Sequence, residues 1–194
     1  MNERSSAPET LISGSPPTAD NPHVSAIIEQ LCATVEDYPS PGIVFKDLTP
    51  VFADGPALKQ VVDAIVGAFD GQFDAVAGVE ARGFLLAAAA AYATGTGVVT
   101  IRRAGKLPRE VYAESYSLEY GQATLEIHQD DVPAGTRVLI LDDVLATGGT
   151  LGAAASLLER TGAVVAGIGV VLEIDALPGR ANLGGRDVVS LLYV

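Results

Sequence analysis

A chain of 194 residues with 48% hydrophobic and 19% charged residues has the length of one ordinary domain, and its few aromatics leave Val, Leu, Ile and Ala to fill the core. The formal net charge of −12 argues against nucleic acid as a general partner, because neutralising phosphates takes clustered Lys and Arg. A single cysteine, Cys32, excludes an internal disulfide and fits a reducing cytoplasm, while the longest apolar runs, Phe84–Ala93 and Ala163–Leu172, fall short of the ~20 residues that span a bilayer. No membrane partner and no signal peptide are therefore expected.

Residues 1–22 are rich in Ser, Pro, Thr, Asn and Glu and are expected to form a disordered tail before a single domain at 23–194. From Val24 the spacing of Ile27, Ile28, Leu31 and Val35 predicts a helix ending near Asp37. Tyr38-Pro-Ser-Pro-Gly42 must turn, and a short strand is expected at Ile43–Phe45. Pro56 suits the first turn of a second amphipathic helix, with Leu58, Val61, Val62, Ile65 and Phe69 on its core face.

Strands and helices then alternate: a strand at Asp74–Val79, a tight turn at Glu80–Gly83, an Ala-rich helix at Phe84–Thr94 and a strand at Val98–Arg102. A polar excursion from Arg103 to Gln122 carries only a weak strand signal at Tyr112–Leu118, and Ala123–Ile127 alternates like an exposed strand. Val138–Leu141 is a short, β-branched, buried strand, and helix resumes from Thr150 to Arg160. Apolar strands at Val164–Leu172 and Val188–Tyr193 complete the chain. The pattern predicts an α/β fold: a parallel twisted sheet flanked by helices on both faces, with no repeat or interdomain linker. Ligands bind such sheets beyond the carboxyl ends of the strands, which places Glu80–Gly83, Arg102–Arg109 and Asp142–Thr150 along one rim.

The last of these stretches carries the sharpest chemistry. Asp142 and Asp143 end a strand, and Ala146-Thr147-Gly148-Gly149-Thr150 leads into a helix. Glycines let backbone N–H groups approach an anion, the helix N-terminus adds partial positive charge, and two threonines offer hydroxyls, so the order builds a phosphate cradle beside a diol-binding acid pair. The stretch lacks the Lys of a nucleoside-triphosphate loop, and no G-x-G-x-x-G follows a strand, so NTPase and dinucleotide sites are disfavoured. Five of the twelve basic residues lie between Arg82 and Arg109, a concentration that points to a polyanion in so acidic a chain. His23 and His128 stand alone and read as structural or surface residues; Cys32, on an apolar helix, reads as core.

Val138-Leu-Ile-Leu-Asp-Asp-Val-Leu-Ala-Thr-Gly-Gly-Thr150 resembles the phosphoribosyl pyrophosphate (PRPP) motif of the type I phosphoribosyltransferases. Tyr38-Pro-Ser-Pro-Gly-Ile-Val-Phe-Lys-Asp-Leu-Thr-Pro50, Gly78-Val-Glu-Ala-Arg-Gly-Phe84, Gly105-Lys-Leu-Pro108 and Ser115-Tyr-Ser-Leu-Glu-Tyr-Gly121 narrow the likeness to the family's adenine branch. The resemblance implies the family's fold, with a small N-terminal hood and a flexible catalytic loop, and transfer of ribose 5-phosphate from PRPP to N9 of adenine, giving AMP and pyrophosphate. It assigns Asp142 and Asp143 to the ribose hydroxyls, Ala146, Thr147, Gly148, Gly149 and Thr150 to the 5-phosphate, and Arg82, Arg102, Arg103 and Lys106 to the pyrophosphate. Mg²⁺ is expected, held mainly by PRPP itself. Glu119 corresponds to the catalytic acid/base, on an excursion long enough to be a lid that Tyr116 and Tyr120 help to close. The backbone of Val44 and Lys46, with Phe45 packing nearby, corresponds to the adenine site, although Lys46 replaces an Arg common among relatives. A strained peptide between Glu80 and Ala81, cis in some members, and a homodimer are further family expectations. Two other readings stay open: a transferase for another purine such as xanthine or hypoxanthine, and a non-enzymatic PRPP-sensing regulator.

Overall fold

A computed structural model describes residues 21–38, 40–117 and 121–194. The expected tail lies outside the described residues except at its boundary, as do Glu119 and Tyr120. Helix α1, Pro22–Leu31, starts two residues earlier than expected. Asn21 caps it by accepting the Val24 N–H at 3.3 Å, and Pro22 takes the first turn, where its missing N–H costs nothing. The helix also ends earlier, at Leu31. Val35, placed by its spacing on a helical face, instead belongs to strand β1, Ala33–Glu36, and is 41% exposed. β1 pairs antiparallel with β2, Val44–Asp47, around a turn in which Asp37 and Gly42 both take positive φ and Gly42 N–H donates to Asp37 Oδ1 at 2.6 Å. This two-stranded sheet is the hood. Cys32 is accordingly half-buried just past a helix end, and burial pushes its thiol up, away from reactivity.

Helices α2, Thr49–Ala53, and α3, Gly55–Ala68, follow; α2 is too short for its periodicity to be read. The main sheet has the order β5-β6-β4-β3-β7-β8-β9. Five of its strands are parallel: β3 (Ala75–Val79), β4 (Gly97–Arg103), β7 (Arg137–Leu145), β8 (Val164–Glu173) and β9 (Val188–Tyr193). The expected parallel sheet carries an antiparallel addition at one edge. There β5, Val111–Ser117, and β6, Gln122–His128, form an antiparallel hairpin, so much of the polar excursion is ordered strand. Nor is β6 simply exposed, since Leu125 and Ile127 are buried on one side of its alternation. β5 escapes a hydrophobicity reading because Tyr112, Glu114, Tyr116 and its two serines leave it half-polar. It is held by α5, Gly149–Arg160, whose Arg160 donates to the Ala113 carbonyl at 2.6 Å and lies 4.9 Å over the Tyr112 ring.

Each face of the sheet has its own core. α5 packs on one face with Leu151, Ala154, Leu157 and Leu158. The other is covered by α1, α3 and α4, Gly83–Thr94, through Ile28, Val61, Ile65, Phe69, Leu86 and Ala90. Gly167 and Gly169 of β8 let α3 close down on that face: a Cβ on Gly167 would fall 2.2 Å from Phe69 Cε1, and one on Gly169 would fall 2.4 Å from Ile65 Cγ2. Because Phe69 is fully buried and has nowhere to move, Gly167→Ala is expected to lower stability by about 1–3 kcal/mol. Gly97→Ala, where nothing lies within 4 Å of the new Cβ, should stay within about 0.5 kcal/mol of the unmodified chain. Urea denaturation of the two variants checks the contrast.

Candidate active site

β7 runs four residues beyond Leu141, so Asp142 and Asp143 lie within the strand rather than after it. Their neighbours bury them to 8% and 7% exposure. Asp142 Oδ1 accepts the Asp143 N–H at 2.9 Å. Burial pushes the Asp142 carboxyl well above the usual carboxylate range, the charge of Asp143 pushes it further, and Arg82 only partly offsets both. Arg82 Nε stands 2.7 Å from Asp143 Oδ2 as an ion pair, although no N–H is aimed at that oxygen. The same guanidinium lies 5.7 Å over the Phe45 ring. Arg82 thus joins the hood to the acid pair, a contact that sequence spacing does not reveal.

After Leu145 the chain turns through Ala146, Thr147 and Gly148, and Gly148 adopts φ +82°, a conformation that side chains disfavour. α5 begins at Gly149, one residue before the expected start. Residues 146–150 border a small hollow of about 70 Å³. No acceptor among the described residues meets the N–H groups of Thr147, Gly148, Gly149 or Thr150. Thr150 Oγ1 donates to Tyr116 Oη at 3.2 Å, which brings β5 of the hairpin against the loop. Gly149 permits this approach, since a Cβ there would lie 3.1 Å from Tyr116 Cδ2 and 3.2 Å from the Ser117 carbonyl oxygen.

A larger cavity of about 730 Å³ opens beside the acid pair and is lined by Glu80, Arg82, Arg103, Tyr116, Asp142, Asp143 and Thr150, among others. The Glu80–Ala81 peptide at its edge is cis. Partial burial pushes the Glu80 carboxyl up, but hydrogen bonds from the Arg102 side chain and the Arg103 N–H outweigh it and hold the group below its usual range. Arg102 grips Glu80 with two bonds of 3.2 and 3.3 Å and donates to the Lys106 carbonyl at 3.2 Å. Among the expected pyrophosphate cations, Arg82 and Arg103 line this cavity, whereas Arg102 braces the Glu80 turn and Lys106 is not part of the wall. Arg109 is drawn away to the base of the hairpin, where it meets Asp131 at 2.5 Å and His128 at 2.9 Å. His128 is thus a buried structural residue.

Val44, Phe45 and Lys46 lie on the hood and do not line the larger cavity; the Arg82–Phe45 contact connects them to it. Lys46 Nζ donates to Thr34 Oγ1 at 2.9 Å, engaging its own hairpin. Two residues beside the loop carry almost no signal in the sequence. Gly179 and Asn182 press on it from outside, and their only signal is a glycine following a proline in a polar connection.

The raised Asp142 group has a consequence for stability. A carboxyl with a folded pKa above its unfolded value weakens the folded state as pH rises through the unfolded value near 4 towards the folded one. Asp142→Asn keeps the acceptor for the Asp143 N–H and removes that loss. Its denaturation midpoint is expected to exceed that of the unmodified chain at pH 7, with the two converging as pH falls to about 4; a midpoint lower at both pH values would contradict this.

The model of the phosphoribosyl transferase domain matches residues 52–182. An adenine phosphoribosyltransferase of Arthrobacter sp. (strain FB24) is 72% identical over 169 residues, covering 87% of this chain and 91% of the relative. The crystal structure of adenine phosphoribosyltransferase from Thermoanaerobacter pseudethanolicus superposes with a TM-score of 0.83 at 45% identity, covering 86% of this chain and 98% of that one. The Saccharomyces cerevisiae enzyme, complexed with an imino-altritol bisphosphate and adenine, gives a TM-score of 0.83 at 35% identity, over 88% of this chain and 99% of that one. With that fold and that likeness along most of its length, the chain belongs to the type I phosphoribosyltransferase family, in the branch of the adenine phosphoribosyltransferases.

Proposed function

We propose that this chain transfers ribose 5-phosphate from PRPP to N9 of adenine, forming AMP and releasing pyrophosphate. The observation that carries the reading is the buried Asp142–Asp143 pair set next to a loop whose amides face no partner among the described residues. A sugar phosphate satisfies both at once. The amides and hydroxyls of Ala146–Thr150 take the 5-phosphate, helped by the N-terminus of α5. The acid pair holds the ribose hydroxyls, and the Asp143 carboxylate opposes the positive charge that develops at C1 as its bond to pyrophosphate breaks. The electron pair leaves on the pyrophosphate oxygen, the N9–C1 bond forms, and the N9 proton passes to Glu119.

Arg103 and Arg82 receive the pyrophosphate, with Lys106 on the same excursion. Arg102 holds the Glu80 turn that supports them. For Arg82 this means exchanging its hold on Asp143 for the incoming anion. The backbone of Val44 and Lys46 reads adenine beside Phe45, so the change from Arg to Lys at 46 leaves base choice intact, and the side chain's bond to Thr34 agrees with a role outside base reading. Tyr116 and Tyr120 close the lid over the sugar. The buried acid pair, with Asp143 Oδ2 lacking a hydrogen bond, fits a hydrated Mg²⁺ brought in mainly on substrate oxygens, and such a cation would supply charge neutralisation for the departing pyrophosphate.

Among the described residues no helix is long and apolar enough to cross a membrane. A cytoplasmic homodimer accords with the lone cysteine and with an apolar stripe on the outer side of α4, where Leu85 and Tyr92 are 53% and 93% exposed.

Incubation with PRPP, Mg²⁺ and each of adenine, hypoxanthine, guanine and xanthine tests the reading. AMP formed from adenine alone is expected; turnover of an oxopurine instead, or no turnover at all, contradicts it. In the same assay Glu119→Gln should lower kcat by about 10²–10⁴-fold while barely moving the KM for PRPP. Full activity in that variant would remove Glu119 from its role.

A further inference from the structure

The outer wall of the phosphate loop is made by a distant part of the chain, Gly179 and the short 3-10 helix Arg180–Leu183. The two backbones touch with no side chain between them. A Cβ on Gly148 would meet the Gly179 carbonyl oxygen at 2.5 Å, and one on Gly179 would meet the Ala146 carbonyl oxygen at 2.4 Å. Across this contact Asn182 Nδ2 donates to the Thr147 carbonyl at 2.8 Å.

The direction of that bond matters. A peptide unit is planar and trans, so the carbonyl of Thr147 and the N–H of Gly148 point opposite ways. Holding the carbonyl outwards on Asn182 turns the Gly148 N–H inwards, to the hollow bordered by residues 146–150. Glycine resists rotation of its own peptide poorly, so Gly148 cannot secure this orientation by itself. The wall that secures it is anchored to the sheet. Asn182 N–H donates to the Gly179 carbonyl at 3.2 Å. Neighbouring Arg180 reaches both oxygens of Glu173 at 2.9 and 3.0 Å, the Val188 carbonyl at 2.9 Å and Tyr193 Oη at 2.8 Å. Glu173, at the end of β8, is only 6% exposed.

We infer that Asn182 is a positioning residue for the sugar 5-phosphate: through the Thr147 carbonyl it fixes the Gly148 amide as an inward donor. The inference rests on reading the loop as the 5-phosphate site, and the experiment separates the two. Ribose 5-phosphate is titrated calorimetrically into the unmodified chain, Asn182→Ala and Asn182→Asp, and steady-state constants are measured for PRPP and adenine. Asn182 is exposed, so neither variant threatens folding. Asn182→Ala should weaken ribose 5-phosphate and raise the KM for PRPP by about 5- to 10-fold, the loss of one neutral hydrogen bond, while the KM for adenine and inhibition by pyrophosphate stay within about twofold. Asn182→Asp, which sets a carboxylate against the carbonyl and donates nothing, should lose more. Unchanged affinity for ribose 5-phosphate in Asn182→Ala, or an equal loss for adenine, overturns the inference and leaves the proposed activity standing. An unmodified chain that binds ribose 5-phosphate but makes no AMP overturns the activity and leaves Asn182 to be judged by the titration. Failure of the unmodified chain to bind ribose 5-phosphate overturns the inference, and AMP formation by the same chain decides the activity separately.

Discussion

Two adjacent carboxylates at the end of a central strand set the terms for everything around them. Neither can be buried and ionised without nearby cations or donors, and the penalty grows when the charges are alike. The surroundings answer in part. Asp142 is held towards its neutral form, Asp143 has Arg82, and Oδ2 of Asp143 is left without an aligned donor. The residual demand is for hydroxyl donors and a cation at one spot. Under the proposed activity, a ribose diol with an attendant metal would meet both demands together.

The sheet topology explains why this unfavourable pair stays in place. β7 lies between β3 and β8, with core on both faces, so the strand cannot shift to expose its end without disrupting two hydrophobic clusters. The cations arrive from the neighbouring strands β3 and β4 and the turns beyond them, where parallel order gathers carboxyl ends on one rim. Local motifs and global order therefore support one another, the consistency that lets a sequence specify a single structure.

Much of this was legible in the sequence, for identifiable reasons. The strand at Val138–Leu141, the loop at 146–150 and the helix after it carry strong local signals: a β-branched run, paired glycines and an Ala/Leu-rich stretch. Legibility failed where tertiary partners decide. Val35 matches a helical face by spacing, but pairing with Phe45 draws it into a strand. β5 is polar, and its order comes from Arg160 and from the β6 partner rather than from its own periodicity. The basic residues were visible as a group, yet the group divides in space: Arg103 faces the cavity, Arg102 turns to Glu80, and Arg109 closes the base of the hairpin. Sequence gives the supply of charge; only packing gives its allotment.

The glycine-on-glycine seam between Gly148 and Gly179 bears on how far such a loop could travel between proteins. The nonapeptide Asp142–Thr150 looks like a self-contained cassette, since its donors, acids and turn lie within one short stretch. Its shape, however, is cast against a second segment that follows the next strand in the chain and shares no obvious motif with the first. Grafted alone onto another parallel sheet, the cassette would carry its chemistry and leave its mould behind. A transplant meant to keep the anion-binding form would have to move both segments, with the end of β8 that anchors the second.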